Sequence, residues 1–190
     1  MLKRTLALLM IVLGIAALAW KGFLYRHHLR FVPEEMGVWR VIYVAEEAWG
    51  FGPGGNEIGI IVYDMPETTY DALQTGGIEW LQNLSSNSWS GSQGRYDEWH
   101  STPVPETEVW ASPEACDSGM SDFYSITQHP ICPSIASYMA KYGYWIPFDA
   151  EIESLANEAV FSPGAYYSYG RIGILIVIPG KRRLIYVYNG

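Results

Sequence analysis

The chain has 190 residues, of which 49% are hydrophobic and 17% are charged, and its formal net charge is −8 at pH 7. After residue 30 there are seven Lys and Arg residues and all twenty Asp and Glu residues, so that part carries 7 − 20 = −13. Such an acidic body argues against binding to nucleic acid or to an anionic membrane through its own field. Ordinary solubility is the favoured explanation of the acid excess, and a functional acidic face is the alternative.

The chain opens with Lys3 and Arg4, followed by an uncharged and mostly apolar run, Thr5 to Trp20, and then by Lys21. At about 1.5 Å per residue the run is roughly 24 Å long, which is short of a hydrocarbon core of about 30 Å. An extension to Tyr25 closes the gap, with the Lys21 amine reaching back to the interface. The segment therefore has the length of a membrane anchor.

A cleaved signal peptide is the alternative, because Ala17-Leu18-Ala19 offers a small-x-small cleavage site after an apolar core. Under either interpretation, residues 1–30 form a signal anchor or signal peptide with a basic collar. Residues 31–190 then form a single acidic α+β domain that is exported. We expect that domain outside the cytoplasm, either periplasmic or extracellular, tethered to the membrane or secreted after cleavage near Ala19.

Two strands are predicted next, from Val38 to Ala45 and from Glu57 to Asp64, because both are rich in β-branched and aromatic residues. A glycine-rich turn joins them and allows antiparallel pairing. Gly50, Gly52 and Gly55 match the spacing of a dinucleotide fingerprint, but that fingerprint requires a helix to follow and here a strand follows. We therefore expect a hairpin loop and no phosphate site.

Pro66 opens a helical region that Gly76-Gly77 interrupts, so two short helices are predicted there. Ser85 to Gly94 has too little apolar content to pack and is expected to be an exposed loop. Arg95 to His100 is predicted to be a short strand. The sequence from Thr102 to Met120 is expected to be irregular.

The only two cysteines are Cys116 and Cys132, and an isolated pair in an exported domain predicts one disulfide. The bond closes a loop of 17 residues and is expected to contribute about 3 kcal/mol. A zinc site with His129 and Asp117 as further ligands is the alternative, but structural zinc sites normally show two tight ligand pairs. The sequence therefore favours a disulfide, with no metal and no cofactor.

A helix is predicted after Pro133, with an apolar stripe through Ile135, Tyr138, Met139 and Tyr142. A second helix is predicted after Asp149, which is placed as the N-cap.

The run from Ile172 to Ile178 is apolar on both of its strand faces, which is typical of a central strand that is covered on both sides. Ile178-Pro179-Gly180-Lys181 fits a type II turn, and Leu184 to Tyr188 is predicted to pair with the central strand. The pattern as a whole predicts an α+β fold. It consists of an antiparallel sheet of four or five strands with short helices packed against it.

Candidate chemistry is sparse. Glu98 and His100 are two residues apart on a predicted strand and so share a face, whereas Asp97 and Glu98 point to opposite faces. A carboxylate and a histidine on one face are weak candidates for a general acid and base, and a surface contact is the simpler interpretation. Glu46-Glu47 is a second acidic pair.

Aromatic residues are the other notable feature. Trp89 stands alone in a polar loop without a periodic reason for burial, and Tyr166, Tyr167 and Tyr169 form a short run. Aromatic side chains mark binding hot spots, and they also pack cores. These four residues are predicted to contact a partner.

The function expected from these features is non-catalytic protein binding by a cell-envelope domain, of an inhibitor or immunity type, with a basic protein as partner. The alternative is an envelope glycan-binding module or hydrolase that uses an aromatic surface and the Glu98/His100 pair. Exposed coplanar rings lining a groove would indicate the glycan-binding alternative.

Overall fold

The structure is a computed structural model, and it describes residues 2–49, 56–84, 96, 98–105, 134–139 and 146–190. The glycine-rich loop, the serine-rich loop with Trp89, Asp97, and the cysteine pair lie outside the described residues. The elements in chain order are α1 (Leu2–Leu29), a 3₁₀ turn (Glu34–Met36), β1 (Val41–Trp49), β2 (Asn56–Asp64), α2 (Glu67–Gln82), β3 (His100–Ser101), α3 (Ile135–Met139), α4 (Ala150–Phe161), β4 (Tyr166–Tyr169), β5 (Gly173–Ile178), a second 3₁₀ turn (Pro179–Lys181) and β6 (Arg183–Asn189).

The six strands form one sheet in the order β1-β2-β6-β5-β4-β3, and every neighbouring pair is antiparallel. The predicted α+β fold is confirmed, with six strands instead of four or five. The additional strand is β4, whose tyrosines drew attention as contact residues although aromatic residues also favour strands. The predicted hairpin pairing of the first two strands is confirmed as well.

Side chains of the central strands alternate between two cores, one on each face of the sheet. On one face, Ile174 and Ile176 of β5 pack with α3 and α4. On the other face, Leu175 and Val177 pack with α2 and with the segment that follows α1. All six residues of β5 are buried, which confirms the prediction of a covered central strand.

Two helix predictions are confirmed in detail. Gly77 interrupts α2 with a φ of 54°, a left-handed conformation that costs glycine little, so two short helices meet there. The Asp149 carboxylate accepts a hydrogen bond from the Glu151 amide at 2.7 Å and caps α4. The predicted stripe of α3 is a third case, confirmed in part: Ile135, Tyr138 and Met139 are buried, and Tyr142 lies outside the described residues.

The predicted type II turn between β5 and β6 is wrong. Pro179 to Lys181 form a 3₁₀ turn, and the left-handed residue is Arg182, with a φ of 53°, while Gly180 does not have a positive φ. Ile178 pairs with Arg183, so the connection has four residues, two more than a tight two-residue turn, and the left-handed position falls at its last residue. The Arg182 guanidinium there pairs with Glu67 of α2 and lies 4.3 Å from the ring centre of Tyr70.

Helix α1 contains Leu9–Leu29, which is 21 residues long and is sufficiently apolar to cross a membrane. Residues 9–26 of this segment are exposed, and its contacts with the domain lie at its C-terminal end, from Tyr25 to Leu29. An N-terminal helix of this kind is compatible with a membrane anchor or with a signal sequence. Its C-terminal end runs directly into Phe31 and Val32, both of which are buried in the core of the domain.

Candidate functional site

The Glu98/His100 pair lies at the edge of the sheet formed by β3 and β4. His100 is paired with Tyr167 across the two strands, and the Ser168 hydroxyl donates a hydrogen bond to the Glu98 carbonyl. Tyr169 lies two residues beyond Tyr167 and therefore on the same face. We call Glu98, His100, Tyr167 and Tyr169 the edge cluster.

Within the edge cluster, the His100 Nε2 atom is 3.8 Å from the Glu98 Oε1 atom. The side chains are largely in water, with 77% of Glu98 and 43% of His100 exposed. The His100 ring centre lies 5.3 Å from that of Tyr167, with the two ring planes 30° apart. The pair is thus a solvent-exposed contact supported by an aromatic ring, and ion pairs of this kind are weak.

The predicted contact tyrosines occupy different environments. Tyr167 is buried, and burial, followed by the nearby Tyr169 and Glu98, raises the pKa of its phenol above the usual value. Tyr169 is 43% exposed, and its ring meets Tyr167 edge to face at 5.8 Å between centres. Tyr166 packs against the opposite core. The structure therefore brings Glu98, His100, Tyr167 and Tyr169 together and separates Tyr166 from them.

Trp89, which was predicted to be an exposed contact residue, and Cys116 and Cys132, which were predicted to form a disulfide, lie outside the described residues. These expectations remain predictions.

A second polar cluster joins the end of α1 to the sheet, and sequence reasoning did not find it. The His28 Nε2 atom is 2.9 Å from the Glu46 Oε1 atom, and the Tyr188 hydroxyl donates to Glu46 Oε2 at 2.9 Å. The Tyr63 hydroxyl donates to the backbone carbonyl of His28 at 2.7 Å. We call these four residues, together with Phe31, the helix–sheet joint.

Aromatic packing completes the helix–sheet joint. The Phe31 ring stacks on Tyr186 at 4.7 Å and lies 5.6 Å from Tyr188, measured between ring centres. Burial raises the pKa of Tyr63 and of Tyr188 well above the usual value, and the Glu46 carboxylate raises that of Tyr188 further. These phenols therefore stay neutral and act as hydrogen-bond donors.

Sequence reasoning assigned His28 to a basic collar and treated Glu46 as part of an acidic pair. Strand alternation places Glu46 and Glu47 on opposite faces of β1, so the sequence indicates that the two carboxylates have different surroundings. In the structure, Glu46 is the one that contacts α1. The partner of Glu46 could not be read from the sequence, since Tyr188 is 142 residues away.

A shallow pocket of about 220 Å³ lies between α4 and the β5–β6 turn, lined in part by Leu155, Glu158, Ile178 and Lys181. Its volume is below the roughly 300–1,000 Å³ that is typical of small-molecule sites. It contains neither member of the Glu98/His100 pair. Within the ranges that the structure describes, no group of three His, Cys, Asp or Glu residues is placed to hold a metal ion.

Comparison with known proteins gives no assignment: no family model, no curated protein and no solved structure matches this chain.

Proposed function

We propose that this protein is a cell-envelope domain, tethered to the membrane by α1 and located outside the cytoplasm, that acts by binding another protein and not by catalysis. The observation that carries the proposal is the placement of the edge cluster. The Glu98/His100 pair, which the sequence offers as a candidate for acid–base chemistry, lies at a sheet edge with much of both side chains in water, beside an exposed tyrosine.

Exposure at this edge supports binding over catalysis. A carboxyl group that serves as a general acid is normally kept protonated by burial in an apolar pocket, whereas most of the Glu98 side chain is in water. Tyrosine is, in contrast, enriched at protein interfaces and among their hot spots, and Tyr169 is exposed here. Tyr169 is the anchor residue that we assign to this contact.

The ring geometry favours a protein over a glycan as the ligand. Sugar rings stack on exposed faces of aromatic side chains, and coplanar faces would extend such a surface. Tyr167 and Tyr169 are instead 82° apart, and Tyr167 is buried. The edge cluster therefore provides one exposed ring and not a stacking platform.

The charge of the domain indicates the kind of partner. With −13 over residues 31–190, the domain attracts a partner that has a basic contact surface, and this attraction accelerates association. We therefore expect binding to weaken as salt is added, because surface charges are screened over about 8 Å at physiological ionic strength.

The test is affinity capture from envelope extract with the detergent-solubilised full chain as bait. The wild type is expected to recover one stoichiometric basic partner, and Tyr169→Ala is expected to lower the affinity about tenfold or more. Glu158→Gln is the control and is expected to bind like the wild type, because Glu158 is an exposed carboxylate 3.5 Å from the Lys181 amine, away from the edge cluster. Equal recovery by the wild type and Tyr169→Ala would contradict the assignment of this edge.

A further inference from the structure

We propose that Tyr25, Trp39 and Ile42 form an interfacial face, which seats the domain against the phospholipid headgroups beside its own anchor helix. The inference rests on the proposed retention of α1 as a membrane anchor. It adds which surface of the domain meets the bilayer, and therefore how the domain is oriented above it.

The hydrogen bonds of Tyr25 set the depth of Trp39. The Tyr25 hydroxyl donates to the Trp39 carbonyl and accepts from the Val41 amide, the latter at 3.2 Å. Side chains on a helix tilt toward its N-terminus, which is the membrane side for an anchor that enters the bilayer with its N-terminal part. The backbone of Trp39 is therefore held beside the end of the apolar helix, at the level of the membrane interface.

Two large apolar side chains are exposed at that level. Trp39 is 67% exposed and Ile42 is 43% exposed. Ile42 is the extra residue of a bulge, because Val41 pairs with Tyr63 and Tyr43 pairs with Val62. Trp and Tyr are enriched at membrane–water interfaces, where an apolar ring and a polar group are both accommodated. A lipid interface is thus the environment that suits these exposed side chains.

Two contacts fix the direction in which the domain extends from this face. Tyr25 contacts the Trp39 end of β1, whereas His28, one helical turn later, contacts Glu46 farther along the same strand. Strand β1 therefore runs in the direction in which α1 leaves the membrane. At about 3.3 Å per residue, Trp49 lies on the order of 30 Å from Trp39 along the strand.

Charge segregation supports the same orientation. Residues 21–42 contain four Lys and Arg against two Glu, which gives 4 − 2 = +2, whereas residues 43–190 carry 6 − 18 = −12. Basic residues close to an anionic leaflet contribute about 1 kcal/mol each, and an acidic surface is repelled from it. The basic residues at the end of α1 therefore stay near the headgroups, and the acidic body stays away from them.

The test uses the full chain reconstituted into vesicles of phosphatidylcholine and phosphatidylglycerol, with or without bromine atoms near the top of the acyl chains. Bromine quenches tryptophan emission on contact. The emission of Trp39 is taken as the difference between the wild type and Trp39→Phe, and it is expected to fall about twofold or more in brominated vesicles. The emission of Trp49, obtained with Trp49→Phe, is the control and is expected to stay unchanged.

Trp20 separates failure of this inference from failure of the anchor. Trp20 lies within the apolar segment. Its emission, taken as the difference between the wild type and Trp20→Phe, is therefore expected to be quenched in brominated vesicles. Quenching of Trp20 without quenching of Trp39 would overturn the interfacial face and leave the anchor in place. An unquenched Trp20 would overturn the anchor itself, and equal quenching of Trp39 and Trp49 would overturn the orientation.

Discussion

Among single residues of the described chain, Glu46 joins three elements, α1, β1 and β6. Its two carboxylate oxygens bind the His28 ring of α1 and the Tyr188 hydroxyl of β6. Because only 13% of the His28 side chain is exposed, water competes weakly for this contact. Glu46 thereby links the C-terminal end of α1 to the two strands β1 and β6.

A double-mutant cycle on the helix–sheet joint measures this contact. We expect His28→Ala and Glu46→Gln to show a coupling of about 1 kcal/mol in urea unfolding of the detergent-solubilised chain, because the pair is partly buried. Lys181→Ala with Glu158→Gln is the control cycle, since this pair is mostly exposed, and its coupling is expected to be about 0.5 kcal/mol or less. A coupling near zero for the first cycle would show that α1 is not held by Glu46.

Gly59 is required by the position of Tyr188. A Cβ atom at residue 59 would lie 2.6 Å from the Tyr188 ring, which is itself held by its hydrogen bond to Glu46. Gly59→Ala is therefore expected to lower the free energy of unfolding by about 1–3 kcal/mol, measured by urea denaturation. Gly180→Ala is the control, because nothing lies within 4 Å of its Cβ position, and an equal effect of both substitutions would contradict the packing described.

Among the elements, α1 has two parts with different surroundings. Phe23 in the apolar segment is exposed, whereas Phe31, just after the helix, is buried against Tyr186. Val32 and Met36 are buried in the same core. The segment that follows the helix thus belongs to the folded domain, and no flexible linker separates the two.

Two alanine substitutions, eight residues apart, test this division. Phe31→Ala is expected to lower the free energy of unfolding of the domain by about 3–5 kcal/mol, because it leaves a cavity in a packed core. Phe23→Ala is expected to leave domain unfolding unchanged, since Phe23 contacts no part of the domain core. Near-ultraviolet circular dichroism during urea unfolding provides the measurement. Similar curves for both variants would contradict the docking of Phe31.

The elements also show what the sequence can and cannot predict. The apolar run of β5, the Asp149 cap and the Gly77 break are local patterns with direct physical causes, and all three were predicted correctly. The strand β4 was missed because its tyrosines fit a contact surface as well as a strand. Glu98 and His100 were predicted to share a face of one strand, but β3 begins only at His100, so strand alternation does not account for their contact. The helix–sheet joint depends on pairings between distant residues, for which the sequence carries no local signal.

At the scale of the whole molecule, burial of tyrosine predicts a response to alkali. Burial raises the pKa of Tyr63, Tyr96, Tyr186 and Tyr188 above the usual value. A raised pKa in the folded state means that the unfolded chain loses these protons first. The contribution of these protonated tyrosines to the free energy of unfolding is fully present below about pH 10. It is lost as the pH rises above that value, at about 1.4 kcal/mol per pH unit for each tyrosine.

Alkaline titration of the detergent-solubilised chain, followed by tyrosinate absorbance and by circular dichroism, tests this response. Four of the 14 tyrosines are expected to ionise only as the fold is lost. Tyr186→Phe is the matched variant, because this hydroxyl is buried without a hydrogen-bond partner in the described part of the chain. This variant is expected to keep the free energy of unfolding of the wild type near neutral pH. In alkali, its free energy of unfolding is expected to fall less steeply with pH, because unfolding is linked to the loss of one proton fewer. Ionisation of all tyrosines with the fold intact would contradict the burial described.

The central claim is that the apolar helix is retained and holds the acidic domain outside the cytoplasm. Its most direct test is protease treatment of intact spheroplasts, followed by peptide mapping of the alkali-washed membranes. We predict that peptides of the segment Leu9–Leu29 remain in the membrane while residues of the domain are digested from outside. A domain that is recovered in soluble form without this segment, or that is protected until the membrane is opened, would contradict the claim.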